Sequence, residues 1–521
     1  MKKILFVSLL IAALTTVSSA QNRKRPAPKK SARAAVSRPS SSSRQQLQKA
    51  LELARGGQYQ AAASSLYSLA RRPELQSDRA QIKYILGLML MEMKLNQVAA
   101  FQFVDVIRTK HLKYTKLAVE KLSIVADGLG DDTLLNYALG RMDLSDIPVA
   151  NRDMISFRIG EVKLKNRDYA GAESAFARVN PGSSYYNQAM YNRGLAALEQ
   201  NKTDQALAAF QNLLALRGRA SVTDTNKVAA QLSIARTLYQ KKDWDRAIEA
   251  YSQVPRDHVL WHDALFEQSW AMLRSARFRS ALSNFQSLHS AYYEDFFIPE
   301  SLLLRAIVYL YICKYDEMEK VLQLFEKTYG PVSSKVRDFI RSNSSSSAYF
   351  REAEKAWLMK KGAPEGGTTL PIIVLNNVIE QGDVRRSMNY LTALDEEKAK
   401  IEANYPFRSS SIGQYALKII SSRRRNTTNA IGDMVKAHLS NMRTELRDLY
   451  EQASFIRYEM INGKKEALKK KIVGKGVEES VDEDVDRSFY VENGYDYYPF
   501  QGEFWLDEIG NYHYLGKSSC E

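Results

Sequence analysis

The chain has 521 residues, 45% of them hydrophobic, and carries 74 Lys and Arg against 59 Asp and Glu for a formal net charge of +15. That apolar content supports a sizeable core and excludes a chain disordered throughout. The length points to several domains or to one extended array.

The first residues, MKKILFVSLLIAALTTVSSAQ, combine basic Lys2 and Lys3, an apolar run from Ile4 to Leu14, and small side chains at Ser18 and Ala20. They read as a signal peptide over 1–20, cleaved after Ala20. The apolar run is too short to span a bilayer comfortably, and no later stretch is long and apolar enough to do so. No cysteine follows the signal, so no lipid anchor is expected, and the mature chain is expected in the periplasm. There Cys313 and Cys520 are candidates for a disulfide. The alternative is a buried thiol at Cys313 and a loose terminal one at Cys520, because sequence spacing says nothing about geometry.

Residues 21–42 form a basic tether. The stretch from 21 to 44 holds eight Lys or Arg and no acid, and it cannot bury enough surface to fold. Such arms commonly meet nucleic acid, but export argues for no nucleic-acid partner. Peptidoglycan or an anionic membrane surface remains, beside the plain reading of a solvated linker.

From 43 to 332 the chain repeats itself. A small residue recurs at Ala50, Gly87, Ser123, Gly160, Gly194, Ala235, Ser269 and Ala306. Twelve positions later come Ala62, Ala99, Leu135, Ala172, Ala206, Ala247, Ala281 and Met318; four further on stand Leu66, Phe103, Leu139, Phe176, Phe210, Tyr251, Phe285 and Leu322. Each unit reads as two helices joined by a short polar turn such as QNKTD. The small residues let the helices approach, and the aromatic fills the seam. Eight units with spacings of 34 to 41 resemble the tetratricopeptide pattern. The third and eighth units are weaker, with Leu135 and Met318 where Ala is usual. Such an array stacks into a superhelix whose groove binds polypeptides, and it is expected to fold without the rest of the chain.

Residues 333–402 read as further helices and linkers, including GAPEGGTT and a helix with Pro371 in its first turn. Residues 403–476 form a long helix, in which Val435, Leu439, Met442, Leu446, Leu449, Ala453, Ile456 and Met460 make a heptad stripe. The stripe suits either an antiparallel hairpin with 384–402 or a dimeric coiled coil. Residues 477–488 are an acidic linker. The tail, 489–521, is dense in aromatics. The alternation in GEFWLDE and NYHYLG predicts a β-hairpin turning near Ile509–Gly510–Asn511. An isolated hairpin is marginal in water, so it is expected to dock on the helices through a face that includes Trp505. Tyr498, Phe500, Phe504, Trp505, Tyr512 and Tyr514 are the candidate partner surface.

Chemistry-bearing candidates are few. His258 and His262 have the i, i+4 spacing of a helical zinc pair, but no third ligand is suggested. Glu503, Asp507 and Glu508 imitate a glycosidase acid pair, but nothing frames a cleft. No phosphate loop, dinucleotide fingerprint or nucleophile elbow occurs, so neither catalysis nor a cofactor or metal is expected.

The strings ESLLLRAIVYLYICKYDEMEKVL (300–322) and YYPFQGEFWLDEIGNYHY (497–514) resemble envelope tetratricopeptide proteins of the adventurous gliding motility group of deltaproteobacteria. The resemblance implies a scaffold in a trans-envelope machine. The missing lipid-attachment cysteine departs from lipoprotein members of that group. The expected fold is all-α: a tetratricopeptide-like α-solenoid, a helical or coiled-coil region, and a small aromatic β-hairpin. The expected function is a non-enzymatic periplasmic scaffold binding envelope proteins through its groove. The alternative is a cell-wall-associated factor or enzyme that binds peptidoglycan through the tail.

Overall fold

The computed structural model describes residues 41–139, 152–216, 225–293, 296–364, 366–472 and 503–514. The signal, most of the tether, the acidic linker, Tyr498, Phe500 and Cys520 lie outside them.

Eight antiparallel helix pairs follow one another. They are α1 (Ser41–Arg55) with α2 (Tyr59–Leu69), α3 (Arg79–Glu92) with α4 (Asn96–Arg108), and α5 (Leu112–Leu129) with α6 (Thr133–Leu139). Next come α7 (Arg152–Lys165) with α8 (Tyr169–Phe176), α9 (Tyr186–Glu199) with α10 (Thr203–Ala215), and α11 (Thr225–Gln240) with α12 (Trp244–Ser252). Last are α13 (Trp261–Arg274) with α14 (Phe278–Leu288), and α15 (Pro299–Tyr311) with a longer α16 (Tyr315–Ser342).

Every turn within a pair contains one residue with left-handed backbone: Gly57, Lys94, Gly130, Arg167, Asn201, Lys242, Ala276 and Cys313. In seven of the eight, the next amide bonds back five residues to the preceding helix, as Leu95 does to Leu90 (2.8 Å) and Arg277 to Met272 (2.8 Å). This 6→1 bond closes the helix C-terminus and turns the chain back within three residues. The third turn, at Gly130, has only a bond to Asp127. Only two of these positions are glycine, so the others bear the steric cost of a Cβ at positive φ.

The periodic small residues receive the periodic aromatics. A Cβ on Gly87, Gly160 or Gly194 would enter the ring of Phe103, Phe176 or Phe210 respectively. The aromatic thus sits over the glycine of its own pair. Ala206, Ala235, Ala247, Tyr251, Ala281 and Phe285 are all buried in the same seams.

After the array come α17 (Ser346–Lys360), α18 (Ile372–Glu380), α19 (Gly382–Ala403), the short α20 (Tyr405–Ser409), and α21 (Ser411–Ile472). With 62 residues, α21 is about 93 Å long at 1.5 Å per residue. Its heptad stripe is intramolecular. Arg424 pairs with Asp395 (2.7 Å) and His438 with Asp383 (3.0 Å), so α19 runs antiparallel beside it. Further along, Tyr450 meets the Phe325 ring (4.9 Å between centroids), Arg457 pairs with Glu326 (3.0 Å) and Lys464 with Glu319 (2.8 Å). The second half of the stripe is therefore covered by α16, not by α19.

At its other end α21 reaches the first two pairs. Tyr415 lies against Tyr67 of α2, and Arg423 over Phe101 of α4. Ile412, Ala416 and Ile420 share one core with the first pairs, while Ile431 through Met460 share another with the last pairs. The helix is a chord joining both ends of the array. α19, α20 and α21 thus contribute to the core of the first units.

A buried polar contact fixes the α19–α4 junction. The N-terminus of α4 has no side-chain cap of its own. Glu397 of α19 supplies one, its Oε1 accepting from the Gln97 N–H (2.8 Å), while the Tyr390 hydroxyl donates to Gln97 Oε1 (2.6 Å). Glu397 Oε2 is buried without a partner, and burial pushes the carboxyl up to about 8 against the pull of the α4 amides.

No strand occurs among the described residues, which corrects the expected C-terminal β-hairpin; the reason lies in how the tail satisfies its amides, described below.

Two outcomes are expected. Ala276→Gly relieves a positive φ and should stabilise by about 0.5–1 kcal/mol, read as a raised thermal midpoint. For Glu397, the folded chain holds the proton up to about pH 8 and the unfolded chain only to the ordinary carboxyl range. The folded state therefore binds more protons in that window, and this contribution to stability falls as pH rises through it, by up to about 1.4 kcal/mol per pH unit. In Glu397→Gln the denaturation midpoints should lose that part of their pH slope; an unchanged slope would mean the carboxyl is ionised in the fold.

Candidate functional site: a peptide seat on the seventh and eighth helix pairs

Residues 503–514 lie on α13, α14 and α15. Their anchor is Ile509, only 4% exposed, with Phe504, Tyr512 and Tyr514 half-buried against the same core. The local backbone is a single turn: the amides of Glu508 and Ile509 bond to the Trp505 carbonyl (3.1 and 3.2 Å), and Asn511 N–H to Glu508 O (2.7 Å). Phe504 and Tyr512 meet edge to face at 6.3 Å, so the two arms approach each other.

The arms form no ladder because α14 takes up their donors. Ser287 Oγ accepts from the Gly510 N–H (2.7 Å), and Ser283 Oγ from the Tyr514 N–H (2.9 Å). Four residues apart, the two serines share one face of α14. Arg256 donates to the side-chain Oδ1 of Asn511, and the Tyr309 and Tyr514 rings stand edge to face at 6.5 Å. Gly510 has φ +85°, and a Cβ there would lie 2.8 Å from the Trp261 ring. Both the backbone and the space require glycine.

The expected docked face included Trp505, and the structure corrects this. Trp505 is 61% exposed and Leu506 71%. They form the tip of the turn, with Ile509 below as the plug. The backbone bond from the Ile509 N–H to the Trp505 carbonyl closes the turn, with Ile509 buried against the array and Trp505 and Leu506 left in solvent. Of the candidate surface residues, Phe504, Tyr512 and Tyr514 face the array and Trp505 faces solvent. Cys313 is disulfide-bonded, and its expected partner Cys520 lies outside the described residues.

The chemistry-bearing candidates separate. His258 Nδ1 accepts from the Leu260 N–H (3.1 Å) as a local cap. His262 is buried between the Tyr293 and Phe296 rings (centroids at 4.6 and 4.2 Å), and burial pushes it down to about 4. They do not converge on one point, and among the described residues no three metal-ligating side chains cluster. Glu503 and Asp507 are exposed, and Glu508 is half-buried on the tail's own turn. Sequence reading missed Ser283, Ser287 and Arg256. Nothing in the string ALSNFQSL distinguishes a serine that reads a backbone from one that faces water.

A profile of the tetratricopeptide repeat family matches residues 157–215 and 191–258, the fourth to sixth helix pairs. The chain thus contains tetratricopeptide repeats within an all-helical solenoid. No curated protein matches the chain in sequence. Among solved structures, the apo form of RapI shares 11% identity and covers 55% of this chain and 98% of its own, at a TM-score of 0.28. A Rap protein complexed with competence and sporulation factor shares 10% identity over 76% of this chain and 100% of its own, also at 0.28. Naa15/Naa10 bound to HypK shares 12% identity over 80% of this chain and 64% of its own, at 0.32.

Ile509→Ala removes about 2–4 kcal/mol of buried contact from a short segment. Amide exchange at Gly510 and Tyr514 should rise to the rate of an unstructured peptide, with the array's own protection unchanged. Continued protection of both amides would show that the serines alone hold the segment.

Proposed function

We propose that this protein is a non-enzymatic scaffold of the bacterial envelope that holds other polypeptides on its repeat array. The observation that carries the reading is the seat on α14, where the array already grips a non-helical segment through its backbone amides. Gripping a backbone with helix side chains, and adding one apolar plug, is how a protein surface binds peptides with little demand on their sequence. The exposed tip, Trp505 and Leu506, supplies an aromatic anchor for a partner. Export, a periplasmic site and a place in a trans-envelope motility machine are the finer form of this proposal. They rest on the signal-like N-terminus and on the resemblance of 300–322 and 497–514. The basic tether would hold the scaffold near peptidoglycan or an anionic membrane surface.

Crosslinking from position 505 in living cells, read by mass spectrometry, tests the reading. Specific envelope proteins should be captured, and the Trp505→Ala, Leu506→Ala double variant should lose them at least about tenfold, as expected for a lost interface anchor. The same partners should survive muramidase digestion of the cell wall. Release of soluble fragments from purified sacculi by the protein alone would overturn the scaffold reading in favour of a cell-wall enzyme. Loss of the partners on muramidase treatment would favour peptidoglycan binding.

A further inference from the structure

The seated tail leads toward a cysteine. Gly510 is held at Ser287 (2.7 Å) and Tyr514 at Ser283 (2.9 Å), so residues 510–514 run along α14 toward its first turn. Phe278, which opens α14, stacks on Tyr311 at the end of α15 (5.2 Å between centroids, 10° between planes). Tyr514 itself meets Tyr309 of α15 (6.5 Å). The tail therefore reaches the end of the α14–α15 pair where the next turn begins. That turn carries Cys313 in left-handed backbone, half-buried, with its Sγ accepting from the Tyr315 hydroxyl (3.4 Å).

Cys313 is disulfide-bonded, and the chain has two cysteines. The second, Cys520, follows Tyr514 by six residues. Six residues of extended chain span about 20 Å, ample to reach a residue four positions beyond Tyr309.

We propose that the seat is an exchangeable peptide-binding surface, closed by its own tail and latched by a Cys313–Cys520 disulfide, so that reduction opens it to a segment of another polypeptide. The contacts on α13, α14 and α15 define that segment. It carries an aliphatic plug at the place of Ile509. Glycine follows, because Trp261 leaves no room for a Cβ. An asparagine meets Arg256, and an aromatic takes the place of Tyr514 beside Tyr309. The partner segment rests on the scaffold reading; the latch does not.

Opening is thiol–disulfide exchange with an external dithiol. One thiolate of the dithiol attacks a sulfur of the disulfide and displaces the other as a thiolate, which takes up a proton. The second thiolate of the dithiol then breaks the mixed disulfide. The protein gains two electrons and two protons as two thiols, and the dithiol leaves as a disulfide. The latch acts through chain length. While it is closed, the five residues 515–519 tie the tail to its seat; once it is open, only the thirty residues 473–502 connect the tail back to α21. Effective concentration falls roughly as the −3/2 power of tether length, so the tail's hold on the seat weakens about tenfold.

The test uses the full-length protein, oxidised or treated with dithiothreitol, and a fluorescein-labelled peptide of residues 503–514 as the probe. Reduction should speed amide exchange at Gly510 and Tyr514 about tenfold and lower the peptide concentration for half-occupancy by the same factor. Cys520→Ser should behave as the reduced protein under both conditions. A peptide carrying Gly510→Ala should not bind. Non-reducing peptide mapping should join Cys313 to Cys520 within one chain. A free Cys520 thiol in the oxidised protein, a link between two copies, or peptide affinity indifferent to reduction and to Cys520→Ser would overturn the proposal. So would faster amide exchange with no peptide binding, since the seat would then serve only its own tail. None of these readouts depends on capturing a partner, so failure here leaves the crosslinking test of the scaffold standing on its own.

Discussion

The structure depends on α21 being shared between two cores. In a solenoid each unit touches only its neighbours, and the overall curve is the sum of small, independent rotations. Such an array has no intrinsic reason to hold one curvature. Here the residues around Ile412–Ile420 pack with the first pairs, and those from Ile431 to Met460 with the last. A helix resists bending because every backbone bond along it would have to distort. Pinning both ends of the array to one continuous helix therefore restricts the distance between them. The middle pairs are held in one arrangement by a helix that makes its main contacts elsewhere.

The same logic, local units held by distant contacts, recurs in the polar interior. Glu397 caps a helix that lies 300 residues earlier in the chain, and Glu352 accepts from the amides of Thr369 (2.7 Å) and Leu370 (3.2 Å) ahead of α18. At the junction of the third and fourth pairs, Arg158 gathers Asp127, Asp132 and Glu161, and Tyr185 donates to Asp127 (2.6 Å). Buried charges are tolerable only when paired or hydrogen-bonded. Each of these groups therefore specifies one way for its elements to meet, where apolar contact alone would allow several.

The seat for residues 503–514 and a cavity of about 380 Å³ between the seventh and eighth helix pairs lie on adjoining parts of α13 and α14. Trp261 walls the first through Gly510, and the next residue, His262, walls the second. On α14, Ser287 holds the tail and Leu288 lines the cavity. Neighbouring residues on a helix point about 100° apart, so one stretch of helix can serve two surfaces. This arrangement couples them physically: a shift of α14 that opens one necessarily moves a wall of the other.

What the sequence determined by itself was the packing inside each helix pair. The eight-fold recurrence of small and aromatic residues was legible because a helix pair is built from contacts within about forty residues, and Gly194 meets Phe210 inside its own unit. The left-handed turns share that period, yet most carry no glycine, so they left no compositional mark. The heptad stripe of α21 was equally plain, but its cover was not. An apolar stripe is satisfied equally by a dimer, by α19 or by α16, and only the placement of α16 chooses. The tail shows the limit most clearly. Its alternation favoured a hairpin, with Trp505 inward. Two serines on α14 offered its amides better partners than a second strand, so the chain turned once, buried Ile509 and left Trp505 outside. That outcome was set by a surface assembled more than two hundred residues away, and no pattern within the tail could encode it.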